Sequence, residues 1–370
     1  MIYIGAENII APLGMTAEDA FMEAMDGETS IEMHEGLGVQ NANLPAAKFT
    51  DEQRAEISIE GERFIVSLAV KCIEGSLDQV TRDLLSSPKT LLLLSTTKGD
   101  IELIAEDTEA ARLHKLGDAI SKKLNFAGSV QTVSNACISG VLAVITASDF
   151  IRRGQYDHVI VCGVDLVTPF TIAGFESFFA ISETTCRPYD ANRDGIALGE
   201  GSACICVSSE NIYLEEPFTY LGGACANDAN HISGPSRTGE GLFRAIKRSI
   251  KYAGIKPENI SQICAHGTAT RYNDDMESLA LKRAELQYTP VNSLKGYIGH
   301  TLGAAGVMEL ALLFQSVRNE VILGSLGFEE HGTSETMGIA SATMSLSSEI
   351  VLKTASGFGG CNAAALFKAP

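Results

Sequence analysis

The sequence of 370 residues predicts an α/β fold with a buried sheet and two repeated halves. Nearly continuous apolar runs alternate with longer segments of helical periodicity, and such runs are typical of strands that are covered on both faces. Two pairs of segments also resemble each other across the chain. Alternation and repetition together favour an α/β architecture around a buried sheet.

Each predicted element follows from a local pattern. The predicted buried strands are TLLLLST, HVIVCGVD, SACICVSS and QICAHG. The predicted helices are GERFIVSLAVKCIEGSL, VLAVITASDFIRRG, GLFRAIKRSIKYAG and VMELALLFQSVRN. The start MIYIGAENIIAPLG predicts a strand and a turn rather than a signal peptide, because it lacks a basic segment and Glu7 interrupts its apolar residues.

The repeated segments predict an internal duplication. VQTVSNACISGVLAVITASDFIRRG is echoed by TPVNSLKGYIGHTLGAAGVMELALLFQSV, and KTLLLLSTTKGD is echoed by SQICAHGTATRYND. We therefore predict an N-terminal half at residues 1–208 and a C-terminal half at residues 209–370. The alternative is that unrelated strand–turn–helix units recur, as they do in many α/β proteins.

Composition excludes several classes of function. The net charge of −18 argues against general binding to nucleic acids or anionic membranes. No apolar stretch reaches the roughly 18 residues of a membrane-spanning helix. The nine cysteines are an odd number without a CxxC pair, which predicts a reduced, cytoplasmic protein without a metal site.

Cys137 lies in SNACISG, between a predicted strand and a predicted helix over Ile138 to Arg153. A thiol at a helix start feels the positive end of the helix dipole, so we expect the thiolate to be favoured. The backbone N–H of Cys137 is expected to face an acyl oxygen. The alternative is a buried structural cysteine.

Two histidines lie in other small-residue turns. His266 opens HGTATRYND, where Thr268 and Thr270 offer hydroxyls and a helix is predicted to begin near Met276. His300 lies in NSLKGYIGHTLGAAG, five residues after Lys295. We expect Glu309, in the following helix, to pair with Lys295 and hold it inward. The alternatives are a turn histidine and a solvated lysine.

The glycine-rich segment GFGG follows a predicted loop, Thr354-Ala355-Ser356. Because this segment has almost no side chains, one of its backbone N–H groups can donate to a bound substrate. Phe358 is its single aromatic residue. A simple tight turn before the last strand is the alternative.

These motifs resemble the β-ketoacyl-(acyl-carrier-protein) synthases, the elongating Cys-His-His condensing enzymes of the thiolase superfamily. The resemblance runs over nearly the whole chain and includes APLG, the Cys137 segment, RPYDANRDGIALGEG, HGTAT, LKGYIGHTLGAAGVME and GFGG. It implies a thiolase-like, five-layered αβαβα fold with two duplicated halves. Departures at Glu106 to Lys122, at Thr354-Ala355-Ser356 and at Cys361 leave chain length and gating open.

The resemblance also implies a role for each matching residue. Cys137 is expected to carry the acyl group, and neutral His266 and His300 to stabilise the enolate of a malonyl thioester, supported by Lys295. The expected supporting and substrate-binding residues are Glu309, Phe358, Thr268, Thr270 and Gly359. Asp190, Arg193 and Asp194 are expected to be scaffold.

The function implied is a decarboxylative Claisen condensation with malonyl carrier protein, in fatty-acid or polyene/polyketide-type biosynthesis. The expected partners are an acyl carrier protein and a second subunit, in a homodimer or a heterodimer with a related ketosynthase. No cofactor is expected beyond the phosphopantetheine of the carrier. The alternatives are an idle partner subunit of the chain-length-factor type and a thiolase-type acyltransferase with Cys361 as second cysteine.

Overall fold

The computed structural model describes residues 1–228 and 234–370. Its strands are β1 (Tyr3–Ile10), β2 (Ile31–His34), β3 (Leu44–Ala47), β4 (Thr90–Ser95), β5 (Ser129–Val133), β6 (His158–Asp165), β7 (Leu198–Gly199), β8 (Gly201–Ser208), β9 (Phe218–Asn227), β10 (Gln262–Cys264), β11 (Val291–Asn292), β12 (Val321–Ile322), β13 (Met344–Ser345), β14 (Ile350–Gly357) and β15 (Cys361–Lys368). Its α-helices are α1 (Ala17–Met25), α2 (Asp51–Ile57), α3 (Phe64–Leu77), α4 (Leu113–Lys123), α5 (Ser139–Arg152), α6 (Pro169–Ser177), α7 (Glu240–Ala253), α8 (Arg271–Arg283), α9 (Lys295–Ile298) and α10 (Ala305–Arg318).

The patterns in the sequence predicted these elements well. The four apolar runs form β4, β6, β8 and β10, and every residue of these strands is buried. The four helical patterns form α3, α5, α7 and α10. The predicted α/β architecture is therefore confirmed.

One long sheet contains the same strand arrangement twice. In the first half, β1 pairs antiparallel with β8, β8 antiparallel with β6, and β6, β4 and β5 run parallel. In the second half, β9, β15, β14, β10 and β11 follow the same order and directions. The two sets join where β1 pairs with β9 over Tyr3 and Ile4. The division between residues 208 and 209 stays a prediction, and β8 ends at Ser208 while β9 begins at Phe218.

Side chains that alternate along the strands build the three largest hydrophobic cores of the described residues. Leu92 and Leu94 of β4 pack with α3 and α4, whereas Leu91 and Leu93 face a middle core that contains α5 and α10. In the second half, Val351 of β14 faces that middle core and Leu352 packs with α7 and α8. The two halves of the long sheet therefore form two layers, with α5 and α10 between them and the other helices outside, which is the thiolase-like αβαβα fold.

The middle layer positions the chemistry because α5 and α10 touch near their first residues. A Cβ atom on Gly140 would lie 2.7 Å from the backbone nitrogen of Val307, and one on Gly306 would lie 2.5 Å from that of Val141. Only glycines permit this approach. It brings the turn before α5 against the turn before α10.

No helix in the described ranges is long and apolar enough to cross a membrane.

Candidate active site

Cys137, His266 and His300 converge from three separate turns. The Sγ atom of Cys137 lies 3.1 Å from Nε2 of His300. The ring centroids of the two histidines are 5.4 Å apart, and the thiol and one ring nitrogen of each histidine lie within 4.8 Å of one another. All three side chains are buried. The structure thus brings together residues that lie far apart in the sequence.

The turn that carries Cys137 has a strained backbone, and a serine side chain holds it in place. Ala136 has φ of 45°, a conformation that side chains other than glycine rarely adopt. The Ser139 hydroxyl accepts from the backbone N–H of Asn135 and donates to the carbonyl of Ala136. These contacts fix the sulfur at the end of the pocket.

The expectation of a thiolate at Cys137 is wrong for the resting protein. Burial raises the pKa of the thiol to about 12; Cys361 adds to the rise, and Lys295 opposes it. Helix α5 begins at Ser139, two residues later, and loss of water outweighs the helix dipole at this depth. The resting group is therefore a thiol.

Both histidines are neutral and present an N–H to the pocket. Burial lowers the pKa of His266 and of His300 well below 6.5, and nearby lysines including Lys295 lower both further. The Nδ1 atom of His300 accepts from the backbone N–H of Leu302. The Nδ1 atom of His266 lies 3.3 Å from the ammonium of Lys295, which has no acceptor. These partners assign the ring proton to Nε2 in each histidine.

Lys295 links His266 to Glu309, as the sequence analysis expects. Its ammonium donates to the carbonyl of His266 at 2.5 Å and to Oε1 of Glu309 at 2.5 Å. Lys295 is fully buried, and Glu309 is nearly so. A buried lysine of this kind is stable only with such compensation.

Lys353 was missed by the sequence analysis. The loop predicted at Thr354-Ala355-Ser356 is wrong, because β14 continues through Gly357 and these residues lie in the same strand as Lys353. The ammonium of Lys353 lies 2.7 Å from Oε2 of Glu309. The available signal was a single lysine directly after the apolar run Ile350 to Leu352.

The HGTAT turn is held by two carboxylates at the start of α8. Glu277 accepts from the backbone N–H groups of His266 and Gly267, and Asp274 accepts from that of Thr268. The prediction that α8 begins near Met276 is wrong, because the helix begins at Arg271. The acidic side chains bind the preceding turn and so anchor it.

Aromatic residues close the pocket beside the histidines. The ring of Phe358 stacks on Phe175 at 5.6 Å and meets Phe178 edge-on at 5.2 Å. Phe175 also meets the ring of His300 edge-on. Phe175 and Phe178, from α6 and its end, were missed because their sequence pattern does not differ from that of a core helix.

The pocket has a volume of about 620 Å³, including its open mouth, and Cys137, His266, His300 and Phe358 line it. Thr268 and Thr270 also line it, with their hydroxyl oxygens 2.9 Å apart. Gly359 has φ of 83° and open space where a side chain would be.

Cys361 and the expected scaffold residues lie outside this constellation. The Cys361 thiol lies 3.3 Å from the carbonyl oxygen of Phe358 and 3.7 Å from that of Asn135. The Asp190 carboxylate accepts from backbone N–H groups, and Arg193 donates to the carbonyl of Gly332. Arg193 also forms ion pairs with Asp274 and Asp275, and Asp194 accepts from the hydroxyl of Ser182.

Two family models match this chain. The beta-ketoacyl synthase N-terminal domain matches residues 116–211, and the C-terminal domain matches residues 218–329. The two matches together cover more than half of the chain.

Known proteins show the same likeness. A putative mitochondrial 3-oxoacyl-[acyl-carrier-protein] synthase from Schizosaccharomyces pombe is 32% identical over 67% of this chain and 63% of its own length. The tetracenomycin polyketide synthase ketoacyl synthase alpha subunit from Streptomyces glaucescens is 34% identical over 66% of this chain and 61% of its own. The chain thus spans less than two thirds of either relative. The solved ishigamide ketosynthase/chain length factor is 25% identical, with a TM-score of 0.86 over 100% of this chain and 99% of that one.

Proposed function

The chain belongs to the β-ketoacyl synthase family, and on this premise we propose that it catalyses decarboxylative condensation of a Cys137-bound acyl group with a malonyl thioester. The observation that carries the proposal is the convergence of one thiol and two Nε2–H donors on a single pocket. An acyl carrier protein is the proposed donor of both substrates. The proposed chemistry uses only side chains and substrate.

In the first step, the Cys137 sulfur attacks the thioester carbon of the acyl carrier. A new S–C bond forms, the bond to the pantetheine sulfur breaks, and the thiol proton passes to that sulfur. The N–H of His300, 3.1 Å from Sγ, stabilises negative charge as it develops on sulfur. Such activation is needed because the resting thiol is protonated.

In the second step, the malonyl thioester loses carbon dioxide and its electron pair moves to the thioester oxygen. In the proposed step, the Nε2–H groups of His266 and His300 donate to that enolate oxygen. The enolate carbon then attacks the acyl carbon on Cys137. A C–C bond forms, the S–C bond breaks, and the sulfur takes a proton from water. Neutral histidines suit this role because they donate without releasing a proton.

The relatives favour a carrier-dependent pathway with a paired subunit. Their names include a 3-oxoacyl-[acyl-carrier-protein] synthase, a polyketide ketoacyl synthase subunit and a ketosynthase/chain length factor. We propose a homodimer or a heterodimer of two such subunits, acting in fatty-acid or polyene/polyketide-type synthesis. A cytoplasmic location is proposed from the odd number of cysteines and the lack of a CxxC pair in the sequence.

The test is product formation from acyl carrier and malonyl carrier, followed by mass spectrometry. Wild type is expected to release carbon dioxide and a 3-oxoacyl product. His300→Ala is expected to slow acylation, because it loses the donor to the Cys137 sulfur, and to lower the rate of condensation by roughly 10²- to 10³-fold, the cost of removing one oxyanion donor. His114→Ala, exposed on α4, is the matched control. Condensation by His300→Ala at the wild-type rate would contradict the proposal.

A further inference from the structure

The ammonium of Lys353 sits in a cage made of oxygen atoms. Its Nζ atom lies 2.7 Å from the carbonyl of Thr354 and 2.7 Å from Oε2 of Glu309. The carbonyls of Cys264 and Ala265 lie at 3.3 and 3.5 Å. Three backbone carbonyls and one carboxylate are the kind of ligands that a bare monovalent cation takes in place of water.

This cage is closed to solvent. Lys353 is fully buried and Glu309 is 1% exposed. Burial lowers the pKa of Lys353, but Cys264 and Glu309 outweigh that effect, so the net change is a rise. Geometry and charge agree that the group in the cage is a cation.

The charges around the cage balance only when Lys353 is included. Glu309 contacts two ammonium groups, Lys295 through Oε1 and Lys353 through Oε2. Two further buried carboxylates lie in this region: Glu277, 3.5 Å from the hydroxyl of Thr354, and Asp274, which pairs with Arg193. Two lysines thus face two glutamates, and loss of Lys353 would leave an uncompensated negative charge in a dry interior.

The cage also holds the strand end that carries His266. Cys264 ends β10 and is followed by Ala265 and His266. Lys353 therefore contacts the backbone carbonyls of the two residues that precede the histidine. Through Glu309 it also restrains Lys295, whose ammonium contacts Nδ1 and the carbonyl of His266. Lys353 therefore acts on the site without facing the reacting atoms.

We propose that Lys353 is a built-in monovalent cation, whose tethered ammonium occupies a site that potassium would otherwise fill and so positions His266 through Glu309. The role in positioning rests on the proposed function, but occupancy of the cage does not. Lys353 is a positioning residue, and the protein should need no added potassium.

The test compares Lys353→Ser, which empties the cage, with Lys353→Met, which fills it without charge. Each variant and the wild type is titrated with potassium chloride against N-methyl-D-glucamine chloride at constant ionic strength. The two readouts are the unfolding temperature and the rate of condensation. Without potassium, Lys353→Ser is expected to lose roughly 10- to 100-fold in rate, the range for groups that orient a functional ligand.

Potassium is expected to raise the unfolding temperature of Lys353→Ser and to restore most of its rate. Wild type and Lys353→Met are expected to show neither response. A Lys353→Ser protein that ignores potassium in both readouts, or a wild type that responds equally, would overturn the proposal. If no variant or wild type condenses, the proposed function fails while the thermal response still decides the occupancy of the cage.

A charge-balanced variant covers the case in which the single variant does not fold. Lys353→Ser combined with Glu309→Gln removes one charge of each sign, and this protein is expected to fold without a potassium response. If Lys353→Ser folds only in potassium, the proposal is supported. If it folds in neither salt while the double variant folds in both, the cage does not accept potassium and the proposal is wrong.

Discussion

The Nε2 atom of His300 lies 3.1 Å from the Sγ atom of Cys137, although the two residues are 163 positions apart in the chain. Each residue precedes one of the two central helices, α5 and α10. The repeated strand–turn–helix arrangement therefore supplies the thiol before one central helix and the imidazole before the other. The close approach of the two helix starts makes this meeting possible.

The contact between the helix starts predicts a strong effect of Gly140→Ala. The new Cβ atom would lie 2.7 Å from the backbone nitrogen of Val307, and this backbone cannot move without shifting α10. We expect a loss of about 1–3 kcal/mol in the free energy of unfolding, the usual cost of overpacking, together with reduced acylation of Cys137. Urea unfolding and intact mass measure the two effects.

Gly174→Ala on α6 is the matched control, because nothing lies within 4 Å of its new Cβ atom. It is expected to keep stability and acylation. A Gly140→Ala protein as stable as this control would show that the helix starts are not in close contact.

The lowered histidine pKa values predict a pH dependence of stability. In the unfolded chain His266 takes up a proton near pH 6.5, whereas the folded protein holds it neutral to a lower pH. The contribution of neutral His266 to the free energy of unfolding is therefore complete above pH 6.5. It is lost as pH falls below that value, by up to about 1.4 kcal/mol per pH unit.

Asp274 has the opposite effect on the pH dependence of stability, because burial raises its pKa to about 7. Its contribution to the free energy of unfolding grows as pH falls through that value. The measurement is therefore the difference in unfolding free energy between wild type and His266→Gln across pH 5 to 8. The difference should shrink as pH falls below 6.5. A constant difference would mean that His266 titrates alike in both states.

The aromatic cover predicts that Phe358→Ala exposes the thiol. Phe358 stacks on Phe175 and meets Phe178 edge-on, and Cys137 is only 8% exposed. Alkylation of Cys137 by iodoacetamide is expected to become severalfold faster in the variant. Phe170→Ala, at an exposed position of α6, serves as control; equal rates in both would dismiss Phe358 as a gate.

The elements that could be predicted from the sequence are those with strong local patterns, such as apolar runs and small-residue turns. The uninterrupted apolar run at β4 predicted a strand with both faces buried, and the small-residue turns predicted where Cys137 and His300 lie. The position of Glu309 in the helix after Lys295 predicted the pair that these two residues form. These features are local in sequence, so no knowledge of packing was required.

The features that could not be predicted depend on tertiary packing between elements that are distant in the sequence. Lys353 belongs to the site because β14 lies beside β10, and Phe175 because α6 ends under Phe358. The thiolate expectation failed for a related reason. Helix position was visible in the sequence, but the depth of burial of Cys137 was not, and burial decided its pKa.

The most direct test of the account is the intact mass of the protein after mixing with a panel of acyl-loaded carrier proteins, with Cys137→Ala alongside. The account predicts one acyl adduct on wild type, none on Cys137→Ala, and release of the adduct as a 3-oxoacyl product when malonyl carrier is added. An adduct that persists on Cys137→Ala, or a wild type that no carrier acylates alone or with a related partner subunit, would contradict it.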